Sequence, residues 1–307
     1  MDRTFKNMFI DNADDTSNGY YFYNVEDEPC ETDPFDELKG KDAWNCRKPK
    51  EVFGITADLE KVLSRIANEN KPFLEISCGN YMGLTPFILK RNPEIQCLVT
   101  DIDDTIINGW QEFIDNPLNG LQRYNISLAR FDNCDMPIKG GSFDYVTCTL
   151  ALNWLYNKSK DKFNKALKEI HRILKKDGCL VAFEHTMNMA FDMTRIYHEC
   201  QPGGTLYGIY SYEEMKKLQK EFQEEKIQFD QFLLTGFKKE LKIDSKNIKK
   251  YTYKEAFCKI HIKANKKSNT FGNSRERYDR IKKLKEETPC FGVKYTLEKY
   301  FFVLRKI

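Results

Sequence analysis

Acidic side chains stand where apolar runs of this chain give way to polar turns. Glu75, Asp101 and Asp132 each lie at or just beyond the end of such a run. Glu184 ends a further run, and His185 follows it directly. Because the carboxyl ends of parallel strands meet at one edge of a sheet, we expect these groups to lie close together. Carboxylates there can bind hydroxyl groups or a cation, and an imidazole can accept a proton, so the pattern favours a ligand site with a candidate catalytic base.

Alternating apolar and amphipathic segments would position these side chains. Between residues 73 and 184, five apolar runs are separated by stretches with helical spacing, as in consecutive βαβ units. The predicted strands begin at Phe73, Ile95, Asn125, Phe143 and Cys179, and the predicted helices cover 56–68, 83–91, 104–114 and 162–175. Asp177-Gly178 is expected to end the last helix, with the glycine in a left-handed conformation. The sequence predicts an α/β fold with a doubly wound, mostly parallel sheet.

Two regions flank the predicted core at residues 56–185. Residues 1–55 lack sustained periodicity and carry an aromatic cluster, so they are predicted to form an arm or lid. Residues 186–307 are predicted to hold a lid insertion and a C-terminal part that completes the sheet. The last apolar segment, Lys299–Arg305, is expected to form a strand at the edge of the sheet.

The composition excludes several classes of protein. No apolar run approaches the length of a membrane span and the first residues form no signal peptide, so we expect a cytoplasmic protein without a membrane partner. The ten cysteines form no C-x-x-C pair, which favours reduced thiols, and no metal site is predicted. The net charge of +3 includes a Lys-rich region after Lys238. A solvated surface is the favoured interpretation, and a nucleic-acid footprint is the alternative. The sequence does not indicate the oligomeric state.

The loop after the first predicted strand distinguishes between two kinds of cofactor. From Ser77 to Gly83 it reads S-C-G-N-Y-M-G, which lacks the first glycine and the spacing of the G-x-G-x-x-G dinucleotide pattern. A pyrophosphate would also meet Glu75 and Tyr81. S-adenosylmethionine carries no phosphate and has a cationic sulfonium and ammonium, which an acid at the end of the first strand would suit. Asp101 follows the glycine turn at about the distance at which an acid receives a ribose diol.

Four motifs in order resemble those of class I S-adenosylmethionine-dependent methyltransferases. The resemblance is closest to the small-molecule (type 11/25-like) group, whose first motif reads roughly L-D-I-G-C-G-T-G. The matching segments are Leu74–Gly79, Val99–Asp103, Asp132–Pro137 with Ser142–Asp144, and Ala166–Gly178. The resemblance implies a Rossmann-like fold, S-adenosylmethionine as methyl donor and S-adenosylhomocysteine as product. It also implies in-line transfer of the methyl group to a small-molecule acceptor.

The resemblance further implies a set of cofactor-binding residues. Glu75 would border the methionine part, Asp101 would hold the ribose hydroxyls, and Asp132 would accept a hydrogen bond from the adenine amino group. Ser77 and Tyr81 stand where the family usually has glycine. The full expected set is Glu75, Ser77, Gly79, Tyr81, Asp101, Ile102, Asp132, Asn133, Thr149 and Leu150.

The acceptor pocket is expected to be roofed by residues outside the predicted core and by the turn after the fourth strand. His185 is the candidate general base if the acceptor must lose a proton, and a structural or substrate-lining role is the alternative. The expected substrate-lining residues are Tyr20, Tyr21, Tyr23, Trp154, Arg195 and Tyr207.

Two other functions remain open at the level of the sequence. An RNA methyltransferase could use the Lys-rich region 238–290, in which case RNA binding would weaken steeply with salt. Against this, Asn153-Trp154 does not form the N/D-P-P-[FYW] motif of enzymes that methylate base amino groups. A methyltransferase-like protein that binds the cofactor without turnover is also compatible with the changes at Ser77 and Tyr81. The sequence does not identify the acceptor or the methylated atom.

Overall fold

The structure is a computed structural model that describes residues 4–10, 20–23, 25, 35, 37–45, 57–200, 204, 211–252 and 292–307. The α-helices are α1 Glu37–Asn45, α2 Ala57–Glu69, α3 Thr85–Arg91, α4 Asp104–Asp115, α5 Leu152–Lys158, α6 Lys160–Ile173, α7 Met193–Glu199, α8 Tyr212–Glu221 and α9 Asp230–Leu234. The strands are β1 Tyr20–Phe22, β2 Phe73–Ile76, β3 Gln96–Asp101, β4 Asn125–Arg130, β5 Phe143–Thr149, β6 Leu174–Phe191, β7 Phe237–Thr252 and β8 Gly292–Lys306. Short 3-10 helices cover Thr4–Met8, Gly79–Tyr81 and Pro117–Asn119.

The strands form one sheet in the order β1-β4-β3-β2-β5-β6-β8-β7. Neighbouring strands from β1 to β6 are parallel, with Leu74 of β2 opposite Leu98 of β3 on one side and Val146 of β5 on the other. The chain proceeds from β2 toward β4 in one direction and from β5 to β6 in the other. The order therefore reverses between β2 and β5, which is where such sheets bind their ligands. The predicted doubly wound, mostly parallel α/β sheet is confirmed.

Both faces of the sheet are covered by hydrophobic side chains. Phe73 packs in one cluster with residues of α2, α3 and α4, while Leu74 and Ile76 pack in another cluster with residues of α6. All four residues of β2 are buried. Burial on both faces explains why the strands appear in the sequence as continuous apolar runs, since neither face needs polar residues.

The N-terminal aromatic cluster lies in the sheet. Tyr20 of β1 pairs with Leu128 of β4, and both Tyr20 and Tyr21 are buried in hydrophobic clusters on opposite faces. The Tyr20 hydroxyl donates a hydrogen bond to Asp115 Oδ1 at 2.8 Å, and the Tyr23 ring packs against Phe9. Tyr20 and Tyr21 are thus part of the core, and the role of Tyr20, Tyr21 and Tyr23 as substrate-lining residues stays a prediction.

The segment around Asp177-Gly178, which lies inside β6, also differs from the prediction. The helix α6 ends at Ile173 and β6 begins at the next residue. The left-handed residue is Asp177, with φ of 62°, and not Gly178. A Cβ on Gly178 would lie 3.0 Å from the Lys175 carbonyl oxygen and 3.1 Å from that of Asp144. The glycine at position 178 is therefore explained by close backbone packing and not by a left-handed conformation.

The chain divides into two compact units. The first comprises residues 1–184, 227–243 and 300–307, and the second comprises 185–226 and 244–299. The predicted boundaries near residues 55 and 185 stay a prediction.

The last strand, β8, lies between β6 and β7, so β7 and not β8 occupies that edge of the sheet. Within the described ranges, none of the helices has the length and apolar character needed to cross a bilayer.

Candidate functional site

The loop between β2 and α3 follows a tightly constrained path. Four of its residues have φ values between 51° and 53°, in the left-handed region, namely Ser77, Gly79, Met82 and Gly83. The Gly79 N–H donates to Asp101 Oδ2 at 2.9 Å, and the Gly79 carbonyl accepts a hydrogen bond from the indole N–H of Trp110 on α4, 2.7 Å away. The loop is therefore held against the end of β3 and against α4.

Glu75 is fully buried beneath this loop. Its Oε2 accepts hydrogen bonds from the Leu84 N–H at 3.0 Å and from the Thr147 hydroxyl at 2.7 Å, whereas its Oε1 is buried without a partner. Burial raises the pKa of Glu75 from 4.5 to about 8, although these donors act in the opposite direction. A Cβ on Gly83 would lie 2.0 Å from Glu75 Oε1, so the loop fits over the carboxyl only because residue 83 is glycine.

Asp101 ends β3 and organises the turn that follows it. Besides the bond from Gly79, its Oδ1 accepts a hydrogen bond from the Asp103 N–H at 3.1 Å, and Asp103 in turn caps α4 through the Thr105 N–H. Burial raises the pKa of Asp101, and its backbone hydrogen bonds oppose that shift. The carboxylate is thus placed where the loop, the strand end and the helix start meet.

A concave pocket opens at the ends of β2, β3 and β4. Five residues expected at a ligand site line it together, namely Ser77, Ile102, Asp132, Asn133 and Trp154. Six lining residues were not expected, namely Cys134, Ala151, Leu152, Leu155, Lys158 and Lys162. The helical spacing of residues 152, 155 and 158 is the sequence signal that could have found most of this wall, since it places them along one side of α5, and Lys162 follows on α6.

Hydrogen bonds fix the pocket residues that follow β4. The Cys134 N–H donates to Asp132 Oδ1 at 2.8 Å, and Asn133 Nδ2 donates to the Ser77 hydroxyl oxygen at 2.7 Å. The Cys134 thiol donates to the Lys162 carbonyl at 3.4 Å, and burial raises its pKa to about 12. Burial thus favours the neutral thiol over the nucleophilic thiolate.

Residues 74–182, which contain every residue that lines the pocket, match the family model described as Methyltransferase domain. The chain contains a methyltransferase domain. The match begins inside β2 and ends inside β6, so it covers the strands on both sides of the point where the strand order reverses.

Two curated proteins are similar to part of this chain. The ubiquinone/menaquinone biosynthesis C-methyltransferase UbiE of Rickettsia prowazekii (strain Madrid E) is 27% identical over 129 residues, which are 41% of this chain and 48% of that protein. The protein of the same name from Rickettsia akari (strain Hartford) gives the same figures. The chain thus spans about half the length of the curated relatives it matches. Among solved structures, a putative methyltransferase from Bacillus halodurans C-125 covers 82% of this chain and 99% of its own, at 17% identity and a TM-score of 0.46.

The end of β5 contributes a second strained turn to the methyltransferase domain. Leu150 has a φ of 60°, and its N–H donates to the Phe183 carbonyl of β6 at 2.8 Å. The hydroxyl of Thr149 is buried, and its interaction with the Glu75 carboxyl opposes the rise in the pKa of that group. Both residues were expected at the cofactor; Thr149 is the last residue of β5, and Leu150 lies in the turn after it, whose backbone is held by β6.

Glu184 holds the helix that forms one wall of the pocket. Its Oε1 accepts hydrogen bonds from the Ala151 and Leu152 N–H groups at 3.3 and 3.0 Å, and its Oε2 accepts one from the Asn153 N–H at 3.1 Å. Burial raises the pKa of Glu184 to about 7, and these donors act in the opposite direction. Asn153 Oδ1 also accepts hydrogen bonds from the Tyr300 hydroxyl and the backbone of residue 227. Glu184 is thus an anchor for α5, a role that its position at a strand end did not reveal.

The remaining expected site residues lie outside the pocket lining or outside the described residues. Tyr81 is 48% exposed on the 3-10 helix of the loop. His185 is half-buried and belongs to the second unit of the chain. Arg195 lies in α7, and its side chain is outside what the structure describes, as is all of Tyr207. Their predicted roles stay predictions.

Proposed function

We propose that this chain is an S-adenosylmethionine-dependent methyltransferase that transfers a methyl group to a small-molecule acceptor. The observation that carries the proposal is the pocket that Ser77, Ile102 and Asp132 line at the ends of three parallel strands, inside the segment that matches the methyltransferase model. The curated relatives of this chain are C-methyltransferases by name, which supports methylation over the other uses of this fold.

The polar groups around the pocket fit a cationic cofactor without phosphate. A Cβ on Gly79 would meet nothing within 4 Å, so the loop backbone has room to approach a ligand. Asp101 and Asp132 lie at the two neighbouring strand ends, and buried Glu75 has one oxygen without a partner. The carboxylates of Asp101 and Asp132 suit a ligand with hydroxyl groups and a positive charge, whereas Glu75, whose pKa is raised to about 8, would contribute a neutral acid, and Lys158 and Lys162 line the pocket as well.

Different residues of the pocket would bind the cofactor and align the reacting groups. S-adenosylmethionine, when bound, supplies a methyl group on a cationic sulfur that a nucleophile can displace in line. Ile102 would pack on the adenine, Asp132 would accept from its amino group, and Asp101 would hold the ribose. The apolar side chains of Leu152 and Leu155 would exclude water from the pocket, which favours alignment of the reacting groups.

Replacing Asp132 with asparagine is expected to weaken cofactor binding without unfolding the protein. The new side chain would keep the oxygen that accepts from the Cys134 N–H, but its amide nitrogen would replace the second carboxylate oxygen as a possible acceptor. Loss of a charge-assisted hydrogen bond predicts a dissociation constant about tenfold higher or more. The measurement is titration calorimetry with S-adenosylhomocysteine. The matched control is Asp135→Asn, which makes the same change at an exposed position three residues away and should bind as wild type does. If both variants bind S-adenosylhomocysteine with equal affinity, Asp132 does not contact the cofactor.

Turnover separates the proposed enzyme from its two alternatives. Formation of S-adenosylhomocysteine from S-adenosylmethionine and a panel of small metabolites would support a small-molecule methyltransferase. Cofactor binding without turnover on any acceptor would favour a binding protein. RNA binding that falls steeply with salt, together with RNA-dependent turnover, would favour an RNA methyltransferase. The names of the curated relatives favour the first outcome.

We further propose that His185 is the general base for acceptors that must lose a proton. His185 follows Glu184 directly on β6, and Glu184 is the residue that anchors the pocket wall. His185→Gln is expected to lower turnover by about a hundredfold or more at saturating cofactor, and to remove the fall in rate below neutral pH that protonation of an imidazole base produces. The dissociation constant for S-adenosylhomocysteine should stay as in wild type. Unchanged turnover with a metabolite that the wild type methylates would exclude this role.

A further inference from the structure

Ser77 adopts a backbone conformation that glycine prefers. Its φ is 51°, in the left-handed region, where a Cβ is strained against the following carbonyl group. Strained conformations persist where the surrounding structure holds them, and they concentrate at functional sites. An interaction that glycine could not make would offset the strain at Ser77.

The Ser77 hydroxyl makes that interaction. It accepts a hydrogen bond from Asn133 Nδ2 at 2.7 Å, across a sequence separation of 56 residues. Ser77 follows β2 and Asn133 follows β4, and β3 lies between these two strands in the sheet. The hydrogen bond, which we call the Ser77–Asn133 bridge, therefore joins two loops across the end of β3.

Both ends of the bridge belong to the pocket wall. Ser77 and Asn133 line the pocket together with Ile102, which directly follows β3. Asp132, the neighbour of Asn133, is fixed on its other side by the bond from the Cys134 N–H. The bridge is thus the described side-chain contact that ties the turn containing Asp132 to the loop containing Gly79.

We propose that Ser77 is a positioning residue that sets the affinity of this protein for its cofactor by holding Asn133 on the pocket wall. This inference rests on the proposed function, because it concerns the same pocket. The bridge is neutral and part-buried, so it acts by pre-ordering the two loops and not by attracting a charge. Without it, the turn after β4 must be ordered when the ligand binds, and binding is weaker by that amount.

Two substitutions at Ser77 distinguish the effect of the hydrogen bond from the effect of the backbone strain. Ser77→Gly removes the hydroxyl and relieves the left-handed strain, whereas Ser77→Ala removes the hydroxyl and keeps the strain. The affinity for the cofactor should therefore depend on the hydroxyl, which both variants lack. The thermal stability should depend on the backbone strain, which only the alanine variant keeps. Each variant is expected to bind S-adenosylhomocysteine roughly three- to tenfold more weakly than wild type. The glycine variant should unfold at a higher temperature than the alanine variant.

The test is titration calorimetry of the full chain with S-adenosylhomocysteine, paired with thermal unfolding without ligand. Asn133→Ala completes a double-mutant cycle, in which Ser77→Gly combined with Asn133→Ala should weaken binding no further than Asn133→Ala alone. Wild-type affinity in the Ser77→Gly variant would overturn the inference while leaving the proposed function intact. A wild-type protein that binds no S-adenosylhomocysteine would overturn the proposed function and this inference with it.

Discussion

Replacing Gly83 with alanine is expected to destabilise the fold by about 2–5 kcal/mol. The new Cβ would lie 2.0 Å from Glu75 Oε1 and 2.4 Å from its carboxyl carbon, and Glu75 is fully buried between the loop and β5. The carboxyl can move away only by giving up its hydrogen bonds to Leu84 and Thr147. To this is added the strain of a non-glycine residue at a φ of 53°.

Gly120→Ala is the matched control for this change. Gly120 also has a positive φ, 64°, but a Cβ there would meet nothing within 4 Å. Its substitution should therefore produce the left-handed strain alone, about 1–2 kcal/mol. Urea unfolding followed by circular dichroism would give both values. Equal destabilisation by the two alanines would mean that the loop at Gly83 moves freely and that the contact with Glu75 has no energetic consequence.

Replacing Glu75 with glutamine is expected to make the stability of the protein less dependent on pH. The pKa of Glu75 is about 8 in the folded protein and 4.5 in the unfolded chain, so between these values the unfolded chain has lost a proton that the folded protein retains. The stability conferred by the neutral acid is thus complete below about pH 4.5 and is lost as the pH rises toward about 8. The loss is about 1.4 kcal/mol per pH unit for one such group.

Glutamine resembles the neutral carboxyl at all these pH values. Its oxygen can replace Glu75 Oε2 as the acceptor for Leu84 and Thr147, and its amide nitrogen can replace Oε1, which accepts no hydrogen bond. At pH 8 the Glu75→Gln variant should therefore be more stable than wild type, and the difference should shrink toward pH 5. Glu112→Gln, at an exposed position on α4, should follow the wild-type dependence. Parallel curves for wild type and Glu75→Gln across this range would contradict a neutral buried Glu75.

The sheet core was predictable because both of its faces are buried. The runs at Phe73 and Phe143 are apolar throughout, and turn residues bound them, so their positions follow from the sequence alone. The strand β1 was not predicted, because three residues are too few to show a period. Its aromatic side chains are equally consistent with a lid and with a core strand.

For the carboxylates of the site, the sequence likewise predicts the position of the residue but not its surroundings. Glu75 and Glu184 were recognised as acids at strand ends, but the sequence does not specify whether such a group faces a ligand or the backbone N–H groups of a neighbouring element. Glu184 proved to accept hydrogen bonds from the start of α5. The lysines of the pocket, Lys158 and Lys162, were missed because each could equally have been part of a solvated helix face.

The short strand β1 pairs with β4 and forms the last strand on that side of the sheet. It covers the backbone of Leu128–Arg130 at the open side of β4, and it buries Tyr20 and Tyr21 against the two faces of the sheet. A chain trimmed to residues 57–307 would keep every residue that lines the pocket, yet it would leave that backbone unpaired beside uncovered apolar surface. An unpaired strand edge is a template for pairing with another molecule. We therefore expect the trimmed chain to self-associate more readily than the full chain, because the edge of β4 would be open to a second copy.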